Sequence, residues 1–302
     1  MSVTDPNPTI PPGKRLKFRT AEMPKHKLSK GSKYGVRPLV WVLLGILVVA
    51  VIYPLVWMII GSFKASQEIF NDPFGLPKNP SLDGYKGAVD QGVVGFFGNS
   101  LWVTVISIVL VVVISAFAAY PLSRLHIPFA GPVLMFILGG LMLAPTVALV
   151  PLFNLMSAIG LYDTRTALVI LYVAFRVPFT TFLIRSYMID LPGELEEAAT
   201  LDGASSWRTF WQIILPLCKP ILAAAAVLQV IFSWNEFAFA LVFIDSPDKL
   251  TLPVGLAQMQ GKLTTDWSAL FAALVIAAIP VIITFLLGQK QFVRGLTAGS
   301  SK

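Results

Sequence analysis

The sequence predicts an all-α polytopic membrane protein with six transmembrane helices, and three observations support this fold class. Hydrophobic residues make up 56% of the 302 residues, charged residues make up only 13%, and the mean hydropathy is +0.75. A soluble domain this apolar lacks the polar side chains needed to cover its surface. The apolar residues also gather in runs close to the roughly 20 residues that a helix needs to cross a bilayer.

Six uninterrupted apolar runs predict the spans, because each is too continuous for an amphipathic surface helix or an alternating barrel strand. In chain order they are Pro38 to Ile60, Leu101 to Tyr120, Phe129 to Leu152, Thr166 to Met188, Ile221 to Ile244 and Leu270 to Gln289. Prolines at positions 54, 145, 151, 178 and 280 lie within these runs and are expected to kink or unwind the helices. Residues 38–302 are therefore expected to form one six-helix transmembrane domain.

The connections between the runs differ in length. The longest, Gly61 to Asn99, contains three prolines and several glycines and is expected to be an irregular or partly helical outer loop. A second outer loop is expected from Asp245 to Asp266. The links Pro121 to Pro128 and Phe153 to Arg165 are too short to hold another domain.

Lysine and arginine are unevenly distributed along the chain. Nine of the 23 precede the first span, in a tail whose charge equals the formal net charge of +7 of the whole chain. With that tail inside, sixteen basic residues fall on the inner side and six on the outer side, which fits the positive-inside rule. Both termini are therefore expected in the cytoplasm. Residues 1–37 are expected to be a disordered basic tail that fixes topology or touches lipid headgroups, the alternative being a nucleic-acid arm.

The residue inventory argues against several kinds of chemistry. A single cysteine cannot form an intrachain disulfide, and with two histidines it offers too few ligands for a dedicated metal cluster. The spans contain no Ser/His pair, metal-ligand spacing or facing carboxylates that would support an intramembrane enzyme. An enzyme of that kind and a self-sufficient secondary transporter are the competing classes.

The inner loop from Ile189 to Pro220 is the most informative segment. Pro192 suits the first turn of a helix whose start carries three glutamates, where a helix N-terminus favours negative charge. Gly203 is a natural left-handed stop, and Ser205 or Ser206 can cap a second helix. Four apolar side chains would share one face of that helix: Trp207, Phe210, Trp211 and Ile214. The pattern predicts helix, glycine turn, helix, with an apolar surface for a partner protein or, equally, for the headgroup layer.

The same loop carries a spaced motif. Glu197-Ala198-Ala199 is followed by three residues, Gly203, nine residues, Ile213, one residue and Leu215-Pro216. This pattern resembles, without a gap, the cytoplasmic signature of permease subunits of bacterial ABC importers. Other segments resemble the smaller permease of maltose-type sugar importers: Ser62-Phe63-Lys64, Glu68-Ile69-Phe70, Asn99-Ser100-Leu101, Trp234-Asn235-Glu236-Phe237, Leu252-Pro253-Val254-Gly255 and Phe292 to Gly299. The resemblance covers residues 39–299.

The resemblance implies a type I ABC importer transmembrane-domain fold and a non-catalytic pore subunit in the bacterial cytoplasmic (inner) membrane. This chain would assemble with a second related permease, two ATPase subunits and an extracytoplasmic sugar-binding protein, and would contact membrane lipids but no nucleic acid. ATP and Mg would be bound by the ATPase, so no cofactor is expected here; the sequence has no Gly-x-x-x-x-Gly-Lys-Ser/Thr loop. The expected solute is a di- or oligosaccharide, and the alternative is a non-sugar solute such as glycerol phosphate.

The resemblance also implies two contact sites. The loop 189–220 would form the coupling helix that docks into a cleft on the ATPase. The residues expected at that contact are Glu197, Ala198, Ala199, Asp202 and Gly203, since small residues permit close approach and a carboxylate can pair with a basic group. In the second outer loop, the residues aligned with the segment that reaches toward the binding protein are Gln258, Met259, Gln260, Gly261 and Lys262.

Two ionisable residues, Arg176 and Glu236, lie deep inside predicted spans. An unpaired charge there costs at least about 2.5 kcal/mol, so each needs a partner. Counted from the outer ends at about 1.5 Å per residue, Arg176 lies roughly 15 Å deep and Glu236 roughly 12 Å deep. We therefore expect a salt bridge that holds the fourth and fifth helices in register near the translocation path. The alternative is that each residue finds a separate partner.

Three further side chains in the spans are candidates for the translocation path: Tyr172, Trp234 and Asn235. They can stack on a sugar or hydrogen-bond to it, although aromatic residues in spans also serve as packing or interfacial anchors. The expected mechanism is alternating access, in which ATP binding closes the ATPase pair and the two permeases rock to expose the cavity outward.

Overall fold

The computed structural model describes residues 36–125, 127–261 and 265–298, and side chains from residue 39 to residue 288. The described residues are mainly helical and contain no strand. They divide into two units, one ending at Ile52 and one beginning at Tyr53. The first unit consists of the greater part of a single apolar helix. The second unit contains the remaining helices and the loops between them. The predicted tail, 1–37, falls almost wholly outside the described residues.

Within the described residues the helices follow one another with short connections, and fourteen α-helices are numbered there in chain order. They are α1 Val36–Gly61, α2 Ser66–Asn71, α3 Asp83–Asp90, α4 Val93–Arg124, α5 Ala130–Gly139, α6 Pro145–Ala158, α7 Arg165–Ile189, α8 Glu194–Leu201, α9 Ser206–Thr209, α10 Leu215–Leu217, α11 Lys219–Asn235, α12 Ala238–Phe243, α13 Leu252–Met259 and α14 Trp267–Ala298. A π-helical segment, Phe210–Ile214, joins α9 to α10, and 3-10 turns occur at Gly140–Met142 and Pro247–Lys249.

Four helices in the described part of the chain are long and apolar enough to cross a bilayer unaided: α1, α4, α7 and α14. Two bent helix pairs raise the number to six if each pair is one span. The predicted membrane-spanning architecture is therefore confirmed, and α4 extends the second predicted span at both ends. The expectation that the connection Gly61 to Asn99 is partly helical is confirmed as well, because α2 and α3 lie within it.

The third predicted span is bent sharply in the middle. α5 and its 3-10 extension meet α6 at 97°, and the chain is extended at Leu143 and Ala144. Pro145 opens α6 at a position where its missing N–H costs nothing. The prediction that a proline unwinds its helix holds there. The other four prolines lie inside continuous helices and do not unwind them.

The fifth predicted span is also interrupted. α11 ends at Asn235, Glu236 is extended, and α12 begins at Ala238. The sequence Ile221 to Ile244 is mostly apolar and contains polar residues at 229 and 233 as well as at the break, so hydropathy alone did not reveal the break. Because of the break, the Glu236 carboxylate lies at the start of α12 and not along the side of α11.

The helices α4 and α7 form the centre of the second unit and pack along most of their lengths. Small side chains such as Ala116 and Ala119 allow α4 to approach its neighbours closely. At the C-terminal ends of both helices a buried cluster joins Tyr120 of α4 and Met188 of α7 to Phe210 of the π-helical segment. This cluster fixes the base of the loop 189–220, whose predicted helix, glycine turn and helix we call the elbow.

Candidate functional site

The loop between the fourth and fifth spans folds into the predicted elbow. α8 begins at Glu194, and its first turn carries that residue, Glu196 and Glu197. Negative charge is favoured at this position because the first N–H groups of a helix have no intrahelical partner. Pro192 lies two residues before the helix rather than in its first turn, so that detail of the prediction is wrong.

The turn at the end of α8 requires glycine. Gly203 has φ +76°, a left-handed conformation that L side chains adopt at a cost of about 1–2 kcal/mol. Its N–H donates to the Thr200 carbonyl at 3.0 Å, and the Ala204 N–H donates to the Ala199 carbonyl at 2.9 Å. These two bonds satisfy helix-terminal carbonyls and form a Schellman motif. The predicted glycine stop is confirmed.

The residues expected to contact an ATPase do not share one environment. Glu197, Ala198, Asp202 and Gly203 are exposed, whereas Ala199 is only 4% exposed and packs against the chain itself. Ala199 is therefore unavailable for direct contact in this conformation.

The most exposed large apolar residue of α8 is Leu201, at 89%. It is missing from the contact set predicted from the sequence, although a leucine beside a glycine turn on a polar helix was a signal available from the pattern. An exposed leucine on a short polar helix is apolar surface that a partner protein can cover.

The second arm of the elbow is capped by Ser205, whose hydroxyl accepts a hydrogen bond from the Arg208 N–H. The helix that follows widens into the π-helical turn Phe210–Ile214. Phe210 and Ile214 are buried, whereas Trp207 and Trp211 are exposed and pack against Phe117 of α4. The rings of Trp207, Phe210 and Trp211 all lie against Phe117, so these three residues share one face as predicted, although part of the helix is π-helical.

Glu236 lies at the break between α11 and α12. Its carboxylate accepts hydrogen bonds from the Tyr172 hydroxyl at 2.7 Å, from the Phe239 N–H at 2.8 Å and from the Ala240 N–H at 3.1 Å. Two of these donors are free backbone groups at the start of α12, which favour a negative charge. The carboxylate is thus satisfied within this chain by one tyrosine and one helix end.

The expected Arg176–Glu236 salt bridge is wrong. Arg176 donates from Nε to the Gln229 side-chain oxygen at 3.3 Å, and its guanidinium lies 4.6 Å from the ring centroid of Phe232 and 5.1 Å from that of Phe179. Cation–π contacts of this kind stabilise a partly desolvated arginine without an anion. Separate partners, the alternative to the salt bridge, are what the structure shows.

The three remaining candidates for the translocation path differ in exposure. Tyr172 is fully buried, and Trp234 is 3% exposed and donates its indole N–H to the Ala277 carbonyl at 3.1 Å. Asn235 is exposed and donates to the Ile231 carbonyl at 2.7 Å. Trp234 and Asn235 border a pocket of about 520 Å³ that is otherwise apolar, with walls from α13 and α14. Tyr172 is therefore a packing residue and a donor to Glu236 rather than an open-path residue in this conformation.

The second outer loop is anchored to the start of α4. The Asn99 amide donates to the carbonyls of Asp248 and Leu250 at 2.8 and 2.9 Å, and the Ser100 hydroxyl accepts from the Leu252 N–H at 2.8 Å. Gly255 in α13 approaches the Phe96 ring so closely that an added Cβ would lie 2.2 Å from a ring carbon. These contacts explain why small and polar residues occupy those positions.

The residues expected to reach a binding protein lie at and beyond the end of α13. Gln258, Gln260 and Gly261 are exposed, and Met259 is buried. Lys262 lies outside the described residues. The exposed members are available to a partner on the predicted outer side.

A second anchor of the outer loop is Asp163, which has a left-handed backbone with φ +56°. Its carboxylate accepts from the N–H groups of Asp245 and Ser246 at 3.0 Å each, from the Ser246 hydroxyl and from Lys249 Nζ at 2.9 Å. The hydrogen bonds from Ser246 are the main reason that the pKa of Asp163 lies well below its usual range. The α6–α7 connection and the α12–α13 connection are held together by this one carboxylate, which we call the Asp163 clasp.

Similar proteins are known. Residues 111–298 match the model of a family described as "Binding-protein-dependent transport system inner membrane component". The chain is 44% identical to "Probable ABC transporter permease protein YurM" of Bacillus subtilis (strain 168), over 97% of this chain and 99% of that protein. It is 37% identical to "Trehalose/maltose transport system permease protein MalG" of Thermococcus litoralis, over 86% of this chain and 95% of that protein. A crystal structure of a bacterial ABC transporter involved in the import of the acidic polysaccharide alginate matches with a TM-score of 0.77 and 25% identity, covering 85% of this chain and 96% of the solved chain. The family match includes the whole elbow.

Proposed function

The chain belongs to the family of binding-protein-dependent transport system inner membrane components, and on this premise we propose that it is the permease subunit through which an ABC importer carries a di- or oligosaccharide into the cytoplasm. The observation that carries the proposal is the exposed surface of α8 and its glycine turn, at the end of the bundle where positive charge accumulates. Both termini lie on the cytoplasmic side in this proposal.

ATP is hydrolysed by partner subunits. The contact surface that α8 offers them consists of Glu197, Ala198, Leu201, Asp202 and Gly203, all of which are exposed. Leu201 supplies apolar area for a cleft on the ATPase, and the carboxylates of Glu197 and Asp202 can pair with basic groups at its edge. ATP and Mg are held by the ATPase, and this chain contributes no catalytic group.

The proposal of a sugar as solute is supported by the names of similar proteins. One relative is a trehalose/maltose permease and the matched solved structure belongs to an alginate importer. Glycerol phosphate is less favoured because Arg176, the arginine near the middle of α7, already has its guanidinium against two phenyl rings. The pocket beside Asn235 has room for a sugar ring or for a neighbouring side chain, with one amide and one indole at its border.

Alternating access connects the two ends of the chain. When ATP closes the ATPase pair, α8 moves with it, and the bundle rocks against a second, related permease so that the cavity opens outward. A sugar-loaded binding protein delivers the solute to the outer side, where Gln258, Gln260 and Gly261 are exposed. The interrupted third and fifth spans supply points at which such a bundle can bend.

The experiment that tests the proposal is isolation of the tagged chain from its host in mild detergent. Mass spectrometry would identify the proteins that co-purify, and ATPase activity would be measured with and without the sugar-loaded binding protein. We expect an ATPase and a second permease, with hydrolysis raised by the loaded binding protein. Leu201→Asp should lose the ATPase but keep the second permease, because the leucine is exposed and its replacement leaves the bundle intact.

The matched control is Leu76→Asp, which makes the same change at an exposed leucine of the predicted outer loop. This variant should retain the ATPase. Recovery of the chain alone, or ATPase retention in Leu201→Asp equal to that in Leu76→Asp, would contradict the proposed coupling surface.

A further inference from the structure

Arg124, the last residue of α4, lies where three elements of the elbow base meet. Its side chain is only 10% exposed, although it ends a helix at the predicted membrane surface. A charged side chain so deeply covered must be compensated by the groups around it. Its hydrogen-bond acceptors and the nearby carboxylate come from the end of α7, from the connection that follows it and from α8.

The first contact of Arg124 is with the end of α7. Its Nη2 donates to the Met188 carbonyl and, at 2.5 Å, to the Leu191 carbonyl. Met188 lies in the last turn of α7 and Leu191 lies two residues beyond its end, a position where a cation is favoured. Arg185 of α7 makes the reverse contact, because its Nε donates to the Leu122 carbonyl near the end of α4 at 3.0 Å. Two arginines thus tie the ends of α4 and α7 to each other.

The second contact of Arg124 is with α8. Its Nη1 lies 3.9 Å from Oε2 of Glu196, whose side chain is 23% exposed. Among the described residues, Arg124 Nε and Glu196 Oε1 have no hydrogen-bond partner although both atoms are buried. A buried ion pair with an unsatisfied atom on each side is incomplete in this conformation. A small displacement of α8 toward α4 would shorten the 3.9 Å separation between the guanidinium and the carboxylate.

The segment between α7 and α8 makes such a displacement possible. It contains Pro192 and Gly193, and α8 is a separate helix of eight residues. Without a side-chain link, α8 can turn about this segment without moving α7. Arg124 supplies the link, since one guanidinium touches both the end of α7 and the first turn of α8.

We propose that Arg124 is a positioning residue for the transport cycle, which rests on the function proposed above. Its contact with Glu196 tightens when the ATPase pushes α8, and its bonds to the end of α7 pass that movement to α4 and α7 together. Glu196 faces inward to Arg124, whereas its neighbour Glu197 is exposed. The two adjacent glutamates therefore have different contacts in this proposal: Glu196 binds Arg124 of this chain, and Glu197 is free to bind the ATPase.

The test uses the complete complex with its companion permease and ATPase, reconstituted in liposomes. Three quantities are measured: the amount of ATPase that co-purifies, the ATPase activity without binding protein, and the stimulation by sugar-loaded binding protein together with the sugar taken up per ATP. The variants are Arg124→Gln, Arg124→Lys and Glu196→Gln. The control is Arg208→Gln, which removes the same charge from an exposed position in the same loop.

We expect Arg124→Gln and Glu196→Gln to keep the ATPase bound and its unstimulated activity intact, and to lower stimulation and uptake per ATP about tenfold. Arg124→Lys should restore part of the loss, because an ammonium reaches one acceptor but cannot bridge two elements. Arg208→Gln should match the wild type. If Arg124→Gln fails to assemble, Glu196→Gln decides the outcome, since it removes only the charge on α8.

Wild-type stimulation and wild-type uptake per ATP in Glu196→Gln would overturn the inference. So would losses that merely follow the amount of ATPase retained, because that result would indicate a structural role alone. A wild-type complex that shows no response to loaded binding protein would instead overturn the proposed function, and the inference with it. The wild-type arm therefore distinguishes the two failures.

Discussion

Substitution of Gly203 tests the geometry of the coupling turn directly. An added Cβ would meet no atom within 4 Å, so the only obstacle to a side chain is φ of +76°. Gly203→Ala should therefore lower the stability of the turn by about 1 kcal/mol, which corresponds to an approximately fivefold fall in the equilibrium constant for its formation. Gly203→Val should cost about 2–3 kcal/mol because a β-branched residue is strongly disfavoured there. Gly203→Asn should cost less than alanine, since asparagine tolerates this region.

Gly193 provides the matched control. It lies in the same loop, has φ of −65° in the right-handed helical region, and likewise has open space where an added Cβ would lie. Gly193→Ala should be neutral or slightly stabilising. The assay is ATPase stimulation by sugar-loaded binding protein, with thermal unfolding of the purified complex alongside. A loss of stimulation that increases from Gly203→Asn to Gly203→Ala to Gly203→Val would show that the positive φ of this residue is the cause. Equal activity for all three variants, or an equal loss in Gly193→Ala, would refute it.

Three further predictions concern the membrane interior and the outer face. Glu236→Ala should destabilise the purified complex by about 3 kcal/mol, because it leaves two backbone N–H donors without an acceptor. Tyr172→Phe removes only one donor to the carboxylate and should cost about 1 kcal/mol. Similar shifts in the thermal unfolding temperature for both variants would contradict the capping role of Glu236. The carboxylate of Asp163 has a lowered pKa, so its contribution to stability is fully present above about pH 4 and is lost as the pH falls through the folded-state pKa. The difference in unfolding temperature between wild type and Asp163→Asn should accordingly be constant from pH 7 to about pH 5 and should shrink below pH 4; a difference that grows on acidification would be inconsistent with the clasp. Gly255→Ala should destabilise the complex by about 1–3 kcal/mol because the Phe96 ring must shift, and the additional change Phe96→Leu should recover part of that loss.

The spans and the elbow could be predicted from the sequence because their signals are local. An apolar run near bilayer length allows few alternatives, and Gly203 followed by Ser205 encodes a stop and a cap within three residues. The orientation of the chain remains a prediction from charge.

The bends in the third and fifth spans were harder to predict. Pro145 was one of five prolines in apolar runs, and nothing in its immediate sequence distinguished it from Pro151, which lies inside α6. Whether a proline interrupts a membrane helix depends on what can satisfy the freed carbonyl groups, and that is a property of the surrounding packing. The break at Glu236 depends in the same way on the Tyr172 hydroxyl, 64 positions away in the chain.

The prediction of an Arg176–Glu236 salt bridge is wrong because the depth of a residue in the membrane does not determine the direction in which its side chain points. Equal depth on consecutive helices permits a contact, but the break at the end of α11 aims the Glu236 carboxylate at α12. Arg176 instead lies between two phenyl rings of α7 and α11. Which face of a helix meets a neighbour is decided by tertiary packing, which one sequence does not show.

Arg124 illustrates the same limit. In the sequence it is one of sixteen basic residues on the inner side and contributes to topology alone. Its role at the junction of α4, α7 and α8 becomes visible only through bonds to backbone carbonyls more than sixty positions away. Backbone acceptors carry no residue-type signal, so a contact of this kind has no sequence signature.

The central claim is that this chain translocates a sugar at the expense of ATP hydrolysed by a partner. The most direct measurement is uptake of a labelled oligosaccharide into liposomes that contain the purified complex, with ATP enclosed and the binding protein outside. We expect uptake that requires ATP, requires the binding protein and is lost in Leu201→Asp. Uptake that proceeds without ATP, driven by an ion gradient and unaffected by Leu201→Asp, would contradict the claim.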